Sequence, residues 1–479
     1  SHVIARVHMA SKANVEEAIQ ASLDAHEMWS TMPWEARAAI FLKASEYLRG
    51  DYRAQINAST MLNQSKTCHQ AEIDSACELI DFWRFNTNYA REIYEDLQPP
   101  ISTSAMWNSS EVRPLEGFVF SVTPFNFSSI AANLPSSAAI MGNTGVWKPS
   151  RNSYVSNYLL MRLMMDAGLP AGVINFIPGK ASMIGDTVLA HPMLAGIHFT
   201  GSTSVFRKMW RDVANNLENY RSYPRVVGET GGKDFIVAHP DCDEKAVIVA
   251  LLRGSFEFQG QKCSASSRAY IPQTVWNNIK DEYCAAVGKI TIGDPRDFTN
   301  FMSAVIDKKS FDNITGYIDR AKADVGCEIV TGGGYDGSKG YFIEPTTIVC
   351  SDPHYESMAQ EIFGPVLSIY VYPDNGFDAV LKTCDETSEY ALTGSIFATK
   401  REDVVTAMNV LRYAAGNFYI NDKPTGAVVG QQPFGGARGS GTNDKAGSPL
   451  NLLRWVSPRS IKETFAPPHS WGYGFLSEK

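Results

Sequence analysis

Apolar positions recur at helical spacing along much of the first hundred residues. The pattern predicts helices over Val15–Asp24, Arg37–Arg49 and Ala71–Tyr94. The next stretch, Leu97–Pro114, instead alternates polar and apolar residues and contains a pair of prolines, which indicates extended structure outside the helical body. We therefore expect a helical N-terminal layer followed by an extended segment.

A rhythm of strand, turn and helix begins at Gly117. The predicted strands are Gly117–Val122, Gly145–Trp147, Val173–Ile177 and Ala195–Phe199. The predicted helices are Ser128–Met141, Tyr154–Ala167 and Ser204–Leu217. This alternation implies a parallel sheet with right-handed crossovers, in which ligands bind beyond the carboxyl ends of the strands.

A second α/β segment extends from Gly231 to Ser448, and the turn Gly228–Gly232 is the expected boundary before it. Its predicted strands are Lys233–Val237, Ala269–Ile271 and Val366–Tyr372. Its predicted helices are Ala246–Phe256 and Lys309–Ala323. The glycine-rich stretch Gly430–Gly441 is expected to be a loop.

Composition narrows the class of protein. With 479 residues, 44% of them hydrophobic, the chain is long enough for two or three globular domains. A formal charge of −8 argues against a general nucleic-acid binder. Its 8 cysteines form no Cys-x-x-Cys pair and lie at no zinc spacing from histidine, so we expect neither a metal site nor a disulfide framework. No apolar run is long enough for a membrane span, and none follows Ser1 as in a signal peptide.

Cys263 is the first candidate for chemistry. It lies in the run Phe258-Gln259-Gly260-Gln261-Lys262-Cys263-Ser264-Ala265, among small and polar residues. A neighbouring lysine and a tight turn favour a reactive thiolate. Taken alone, an inert packing cysteine is the better interpretation, so support must come from elsewhere in the chain.

Two segments at strand ends carry candidate binding groups. Thr200-Gly201-Ser202 opens a helix whose N–H groups suit a phosphate, although Ser202 as an ordinary N-cap explains it equally well. No Gly-x-Gly-x-x-Gly fingerprint accompanies it in the first half of the chain. Asn126, after the strand Gly117–Val122, is placed to stabilise an oxyanion or simply to make a turn.

Two carboxylates complete the candidate set. Glu229 stands among glycines in Gly228–Lys233, where it suits a general base or an exposed loop position. Glu361 precedes Phe363 by two residues, and the pair suits ribose and a flat ring, or a cap and a core side chain. Each segment alone leaves both interpretations open.

The ordered set of motifs resembles the aldehyde dehydrogenase superfamily along almost the whole chain. The set is Pro124–Phe127, Trp147–Ser150, Phe199–Ser202, Glu229–Lys233, Gly260–Cys263, Glu361–Pro365 and Pro433–Gly436. Within the superfamily the chain is most similar to the L-glutamate γ-semialdehyde dehydrogenases, in their eukaryotic and especially fungal form. The stretches that carry this finer resemblance are Glu78–Asn86, Gly260–Ala265 and Asn417–Lys445.

The resemblance implies an α/β fold of the aldehyde dehydrogenase type. It has two open parallel-sheet α/β domains and a β-flap for oligomerisation. The implied ranges are residues 1–96 and 117–230 for the NAD-binding domain, 231–449 for the catalytic domain, and 97–116 with 450–479 for the flap. A homodimer or a higher homo-oligomer is expected, since exposed strand edges in the flap would pair with a second subunit.

The implied activity is NAD-dependent oxidation of L-glutamate γ-semialdehyde, formed from Δ1-pyrroline-5-carboxylate, to L-glutamate in proline catabolism. Cys263 would form a thiohemiacetal and then a thioester, Asn126 would hold the oxyanion, and Glu229 would activate water. The expected partner is a small aldehyde, with no nucleic acid and no membrane. The expected compartment is the mitochondrial matrix, with the cytoplasm as the alternative.

The resemblance also assigns binding residues. The implied cofactor contacts are Lys148, Ser150, Gly201, Ser202, Glu361 and Phe363. The implied substrate contacts are Ser264, Gly426, Ala427, Phe127 and Phe434. Lys262 is expected to pair with Glu78 and so to hold the cysteine loop.

Three departures keep alternatives open. Arg151 follows the Trp147–Ser150 motif and leaves NADP possible beside NAD, while Asp234 and Ser448 replace the usual asparagine and glycine. A paralogue that acts on another aldehyde is one alternative. A scaffold protein without turnover is another, although the retention of Cys263, Glu229 and Asn126 argues against it.

Overall fold

Two open β-sheets organise the computed structural model, which describes residues 3–476. The strands, β1 to β18 in chain order, are Met106–Pro114, Phe118–Val122, Thr144–Lys148, Ile174–Phe176, Leu194–Thr200, Arg225–Glu229, Asp234–Ala238, Ser266–Pro272, Cys327–Thr331, Tyr335–Asp336, Phe342–Ile343, Thr346–Cys350, Val366–Tyr372, Tyr390–Ala391, Thr393–Phe397, Asn417–Ile420, Ala437–Arg438 and Val456–Thr464.

The helices follow the same numbering principle. In chain order, α1 to α16 are Lys12–Thr31, Trp34–Arg49, Arg53–Gln64, Cys68–Ala71, Glu78–Asp96, Ser128–Ile140, Tyr154–Ala167, Ala181–Leu189, Thr203–Asn215, Glu244–Phe256, Gln273–Val287, Lys308–Ala323, Glu356–Ala359, Phe377–Glu386, Arg401–Val410 and Pro449–Leu452. A π-helical segment, Glu72–Cys77, joins α4 to α5. Of the described helices, none is long and apolar enough to cross a membrane.

The first sheet has the strand order β4-β3-β2-β5-β6, and every neighbouring pair is parallel. Its strands are apolar on both faces. Phe118 and Phe120 pack into one core cluster, while Val119 between them packs into another. Such double burial is typical of parallel sheets covered by helices on both sides. The predicted strands of this half are confirmed.

The second sheet has the order β16-β15-β7-β8-β13-β12-β9. All neighbours are parallel except the edge strand β9, which runs antiparallel to β12. Alternate residues again enter two clusters, with Phe235 on one face and Ile236 on the other. The predicted fold class, two open parallel-sheet units, is confirmed apart from this one edge.

A two-stranded antiparallel ribbon forms the third unit. It pairs β1 with β18, in a register that runs from Met106↔Thr464 to Pro114↔Val456. The extended structure predicted for Leu97–Pro114 is therefore present from Met106 onward. The chain passes from the first sheet to the second at the link between β6 and β7. On that basis we propose the same domain ranges that the resemblance implied.

Several elements differ from the sequence-based expectation. Helices α3, α8 and α11 were not predicted, and the predicted helix Ala71–Tyr94 is interrupted by the π-helical segment. Glu229 ends strand β6, so the alternative interpretation of an exposed loop residue is wrong. The strand extends this far because Gly201 N–H and Thr442 N–H bond to Glu229 O and Gly228 O respectively.

Candidate active site

The Cys263 loop begins with an unusual turn. Phe258, Gln259 and Gly260 all have positive φ, of 51°, 55° and 65°. Strained backbone persists where the surroundings fix it, and it clusters at functional sites. Here Gln259 Nε2 donates to Ser65 O at 3.0 Å and to Ala304 O at 2.9 Å, so the turn is tied to both sides of the molecule.

Asn126 lies directly beside this loop. Its side-chain Nδ2 donates to Gln261 O at 3.1 Å, and the asparagine is buried. An amide nitrogen carries two N–H groups, so a second donor remains. The Cys263 N–H bonds to no other residue among 3–476 and lies by its own thiol. The two free donors match an oxyanion hole.

The surroundings of Cys263 favour its thiol over its thiolate form. Burial raises its pKa, and the nearby carboxyl groups of Asp234, Glu229 and Glu361 raise it further. The low-pKa thiolate that the adjacent lysine suggested is not supported, since Lys262 is not among the main groups that shift the pKa of Cys263. Attack requires that the thiol proton be removed as the bond to carbon forms.

Glu229 enters the same site from the first sheet. Its Oε2 and Oε1 accept hydrogen bonds from Gly436 N at 3.1 and 3.3 Å. Burial raises the pKa of Glu229 well above its ordinary value, while the Gly436 N–H and the Lys445 ammonium oppose the rise. A carboxyl whose pKa is raised toward neutral pH is suited to take a proton and to release it again.

The Gly231-Gly232 pair lets three groups meet. Gly232 N donates to Glu361 Oε1 at 3.0 Å. A Cβ on Gly231 would lie 2.3 Å from Glu361 Oε2, and one on Gly232 would lie 2.2 Å from Cys263 O. The close approach predicted for this glycine-rich run is present, and burial raises the pKa of Glu361 to about 7.

A cavity of about 200 Å³ opens beside the thiol and collects most of the expected substrate and catalytic residues. Those on its wall are Cys263, Glu229, Ser264, Gly426, Ala427, Phe127, Phe434, Lys262 and Glu78. Among the described residues, none of those expected to contact the cofactor lies on the wall of this cavity. The site therefore has a substrate side that is separate from the expected nucleotide side.

One wall of the cavity is built to receive an anion. Gly426 has φ of 92°, and the N–H groups of Gly426 and Ala427 meet no acceptor among the described residues. Beside them, the hydroxyls of Ser264 and Thr425 lie 2.8 Å apart. Unpaired backbone N–H groups in a turn form an anion-binding nest. Thr425 was not predicted, since nothing in its sequence context distinguishes it.

The expected pairing of Lys262 with Glu78 is wrong. Lys262 Nζ contacts Glu257 Oε2 at 3.0 Å, five residues earlier in the loop, while Glu78 accepts a hydrogen bond from Ser129. Lys262 pairs with Glu257 because the turn at Phe258–Gly260 brings the Glu257 carboxylate back to the lysine. Burial raises the pKa of Glu78 to about 8.

A second lysine, which sequence reasoning missed, occupies the space beside Glu78. Lys66 is fully buried and lies 2.5 Å from Asp74. Its ammonium also lies over the rings of Phe127 and Phe258, at 4.2 and 4.3 Å. Lys66 precedes α4 in a polar stretch, so the sequence offered no signal of its burial.

The expected nucleotide side follows the carboxyl ends of the first sheet. Lys148 ends β3, and its ammonium has no hydrogen-bond or ion-pair partner among residues 3–476, while burial lowers its pKa. Ser150 follows two residues later and is half-buried. Ser202 caps α9 without using its side chain, and the N–H groups of Thr203 and Ser204 meet no described acceptor.

These groups fit a dinucleotide. An unpaired ammonium and a carboxylate such as Glu361 suit ribose hydroxyls, and free N–H groups at a helix start suit a pyrophosphate. The Gly201 N–H is unsuited, because it already donates to Glu229 O at 3.2 Å. Phe363 holds a positive φ of 58° and packs edge-on against Phe125, 5.9 Å away.

Comparison with known proteins agrees with this geometry. Residues 1–461 match the model of the aldehyde dehydrogenase family. The chain is 53% identical over 476 residues to a Dictyostelium discoideum protein named Delta-1-pyrroline-5-carboxylate dehydrogenase, mitochondrial, covering 99% of this chain and 85% of that protein. The human protein of the same name is 47% identical, with coverage of 99% and 84%.

Solved structures give the same result. The Delta-pyrroline-5-carboxylate dehydrogenase from Mycobacterium tuberculosis bound with NAD superimposes with a TM-score of 0.94. It is 51% identical in sequence, and the match covers 98% of this chain and 86% of that one. A Thermus 1-pyrroline-5-carboxylate dehydrogenase with bound NAD is 29% identical, with a TM-score of 0.89 over 95% of this chain and 87% of that one.

Proposed function

The chain belongs to the aldehyde dehydrogenase family, and from this premise we propose the residues by which it oxidises L-glutamate γ-semialdehyde to L-glutamate with NAD. The observation that carries the proposal is the shared cavity. Cys263, Glu229 and the free N–H groups of Gly426 and Ala427 all line it. A nucleophile, a base and an anion nest in one cavity suit an aldehyde that carries a carboxylate.

In the first step, Cys263 Sγ attacks the aldehyde carbon, the carbonyl oxygen becomes an oxyanion, and the thiol proton passes to solvent water. The new oxyanion is held by the second Asn126 N–H and by the Cys263 N–H. Bound at the nucleotide side, NAD would supply the acceptor for the hydride that leaves the thiohemiacetal carbon. Cys263 then carries a thioester to the glutamyl group.

In the second step, Glu229 removes a proton from water, and the hydroxide attacks the thioester carbonyl. The carbon–sulfur bond breaks, which releases L-glutamate and returns Cys263 as a thiolate. Because burial raises the pKa of both Glu229 and Cys263, the proton on the carboxyl can return to the sulfur.

Substrate selection follows from the cavity wall. The Gly426 and Ala427 N–H groups and the Ser264 hydroxyl would bind the α-carboxylate. Phe127 and Phe434 line the same cavity and would enclose the aliphatic stem. An aldehyde without a carboxylate would leave the nest unpaired.

Cofactor binding uses the nucleotide side. Lys148 and Glu361 would contact ribose hydroxyls, with Ser150 close by, while Ser202 and the helix start would contact the pyrophosphate. Arg151 Nη2 lies 3.6 Å from Asp307 Oδ2, so its charge is shared with a carboxylate. That carboxylate would repel a 2′-phosphate, which favours NAD over NADP.

Assembly and location belong to the same proposal. The β1–β18 ribbon would pair with a second copy of the chain, since each of its strands has one neighbour within the described residues. The matrix of the mitochondrion is the proposed compartment, because the Dictyostelium and human relatives are named mitochondrial.

The decisive experiment follows NADH formation from pyrroline-5-carboxylate with wild type, Cys263→Ala and Cys242→Ala. Cys242 is another partly buried free thiol and serves as the matched control. We expect turnover in wild type and in Cys242→Ala, and none in Cys263→Ala, with NAD binding retained by all three. Turnover by Cys263→Ala would refute the mechanism.

A further inference from the structure

One peptide unit, Gly435–Gly436, joins two charged side chains. Its N–H, on Gly436, donates to Glu229 Oε2 at 3.1 Å. Its carbonyl oxygen, on Gly435, accepts from Lys445 Nζ at 3.0 Å. The general base and the lysine therefore bind opposite ends of the same peptide dipole.

Lys445 is fixed in this position by two more acceptors. Its Nζ donates to Gly416 O at 2.8 Å and to Asn417 Oδ1 at 3.3 Å. Asn417 Oδ1 in turn accepts from Gly435 N at 3.1 Å, which ties the lysine and the glycine turn together. The ammonium has no carboxylate within ion-pair distance among residues 3–476, so its charge is not neutralised by a direct partner.

Gly435 packs closely against the carboxylate. A Cβ on Gly435 would lie 3.1 Å from Glu229 Oε1, tighter than most such contacts. Glu229 thus rests directly on the turn that Lys445 holds. A shift of the lysine would move the donor on which the base depends.

We propose that Lys445 is a positioning residue for Glu229, which it aims and keeps ionised for thioester hydrolysis through the Gly435–Gly436 peptide. The inference rests on the role proposed above for Glu229. A cation at the carbonyl end of a peptide polarises it and strengthens the N–H as a donor at the other end. The hydride-forming half of the reaction does not need this contact.

Other charges around the base work in both directions. The ammonium of Lys445 lowers the pKa of Glu229, while the carboxylate of Asp444 raises it. Asp444 Oδ1 lies 3.3 Å from Arg454 Nε, which offsets part of its effect. The Cys263 thiol also interacts with Glu229. Burial and Asp444 both raise the pKa of Glu229. Removal of the Lys445 ammonium therefore takes away a charge that opposes this rise.

The test compares wild type with Lys445→Met, Lys445→Gln and Glu229→Gln in rapid-mixing experiments with pyrroline-5-carboxylate and NAD. Methionine removes the charge and the donor, while glutamine keeps a donor without charge. For the two lysine variants, we expect the rate of the first turnover, measured as NADH formation, to stay within about twofold of the wild-type rate. We expect the later steady rate of Lys445→Met to fall roughly tenfold, the factor that corresponds to one pKa unit, and acyl-enzyme to accumulate on Cys263.

The pH profile supplies a readout that a merely structural role would not move. The rise of the hydrolysis rate with pH should shift to higher pH in both lysine variants, and glutamine should retain more of the rate than methionine. A first-turnover rate that falls together with the steady rate, or an unmoved pH profile beside a lowered melting temperature, would overturn the inference. Full turnover by Glu229→Gln would instead refute the proposed role of Glu229 itself.

Discussion

Buried hydroxyls and carboxyls at the site have specific partners, and single substitutions test what each partner contributes. The Ser264 hydroxyl is the clearest case, because its bond to Thr425 Oγ1 is its one hydrogen bond in the described chain. The pair sits beside the anion nest. Its orientation decides whether the hydroxyl points to the substrate carboxylate.

Thr425→Val removes that partner and keeps the shape of the side chain. We expect KM for pyrroline-5-carboxylate to rise several-fold, about 1 kcal/mol for one hydrogen bond, with kcat little changed. Thr347→Val is the matched control, since Thr347, in β12 of the second sheet, bonds at 2.7 Å to Tyr283 of α11. The control should lose stability without a change in KM, and equal KM effects in both variants would contradict the assignment.

Glu78 gives a prediction for stability against pH. Burial raises its folded pKa from 4.5 to about 8. A raised carboxyl pKa means that the folded state binds the extra proton, so stability is lost as the pH rises between these values, by at most about 1.4 kcal/mol per pH unit. The Glu78→Gln variant cannot lose stability in this way. The difference between its melting temperature and that of wild type should therefore increase in favour of the variant from about pH 5 to about pH 8.

The exposed pair Arg91–Glu95 supplies the control for this measurement. Glu95→Gln should keep a constant difference from wild type across the same pH range. A constant difference for Glu78→Gln as well would show that the Glu78 carboxyl is not ionised at a cost in the folded state.

The sequence singled out Cys263, Asn126 and Glu229 through the resemblance of the ordered motifs, and the structure brings the three residues together at one site. Sequence reasoning failed where the partner is chosen by three-dimensional proximity. Lys262 binds Glu257 because a left-handed turn brings them together, and φ at Phe258 cannot be inferred from its neighbours. The shared peptide at Gly435 depends on a contact between the end of β6 and a loop 207 residues later, which no local pattern records.

At the scale of elements, the turn before Cys263 packs closely against the loop before β13, where Gly260 faces the Gly364 carbonyl. Gly260→Ala would place a Cβ 2.2 Å from Gly364 O at a residue with φ of 65°. We expect a lowered melting temperature and a loss of activity, because the cysteine loop must move away from the Glu361 loop.

Gly185→Ala is the control for Gly260→Ala. Gly185 lies in α8, and a Cβ there would meet nothing within 4 Å. This variant should be slightly stabilised, by about 0.5–1 kcal/mol, with normal activity. A Gly260→Ala enzyme that behaves like the control would show that the two loops do not need this close packing.

Regular elements with clear apolar periodicity were the predictable ones, as the agreement at α7 shows. The π-helical segment was not, because Glu72–Cys77 has the composition of an ordinary helix. Its extra residue per turn lies where Asp74 and Cys77 line the cavity. Single π-turns inside helices are frequent at functional sites. The irregularity thus reflects the tertiary site and not local preference.

At the scale of the whole molecule, the ribbon exposes apolar side chains. Trp107 and Ile461 are 54% and 39% exposed, and the register Trp107↔Glu463 and Ser109↔Ile461 places them on one face. A two-stranded ribbon is marginal by itself in water. These features support a subunit interface.

Trp107→Asp and Ile461→Asp together should dissociate the oligomer that we propose, as measured by sedimentation at several protein concentrations. The reason is that two charges would have to be buried without partners. Val325→Asp is the control, because Val325 is fully exposed in a loop before β9. A double variant that sediments like the control would exclude this face as the interface.

The ribbon also has a consequence for how the protein is made. Arg113 Nε donates a hydrogen bond to Ser457 O, 344 residues later in the chain. During synthesis β1 therefore has no partner strand until both large sheets and then β18 have been made. The surface proposed for assembly cannot form on a nascent chain that lacks the catalytic half. Interrupted synthesis products would therefore be left out of the oligomers, and each assembled particle would contain only subunits with a complete cysteine loop.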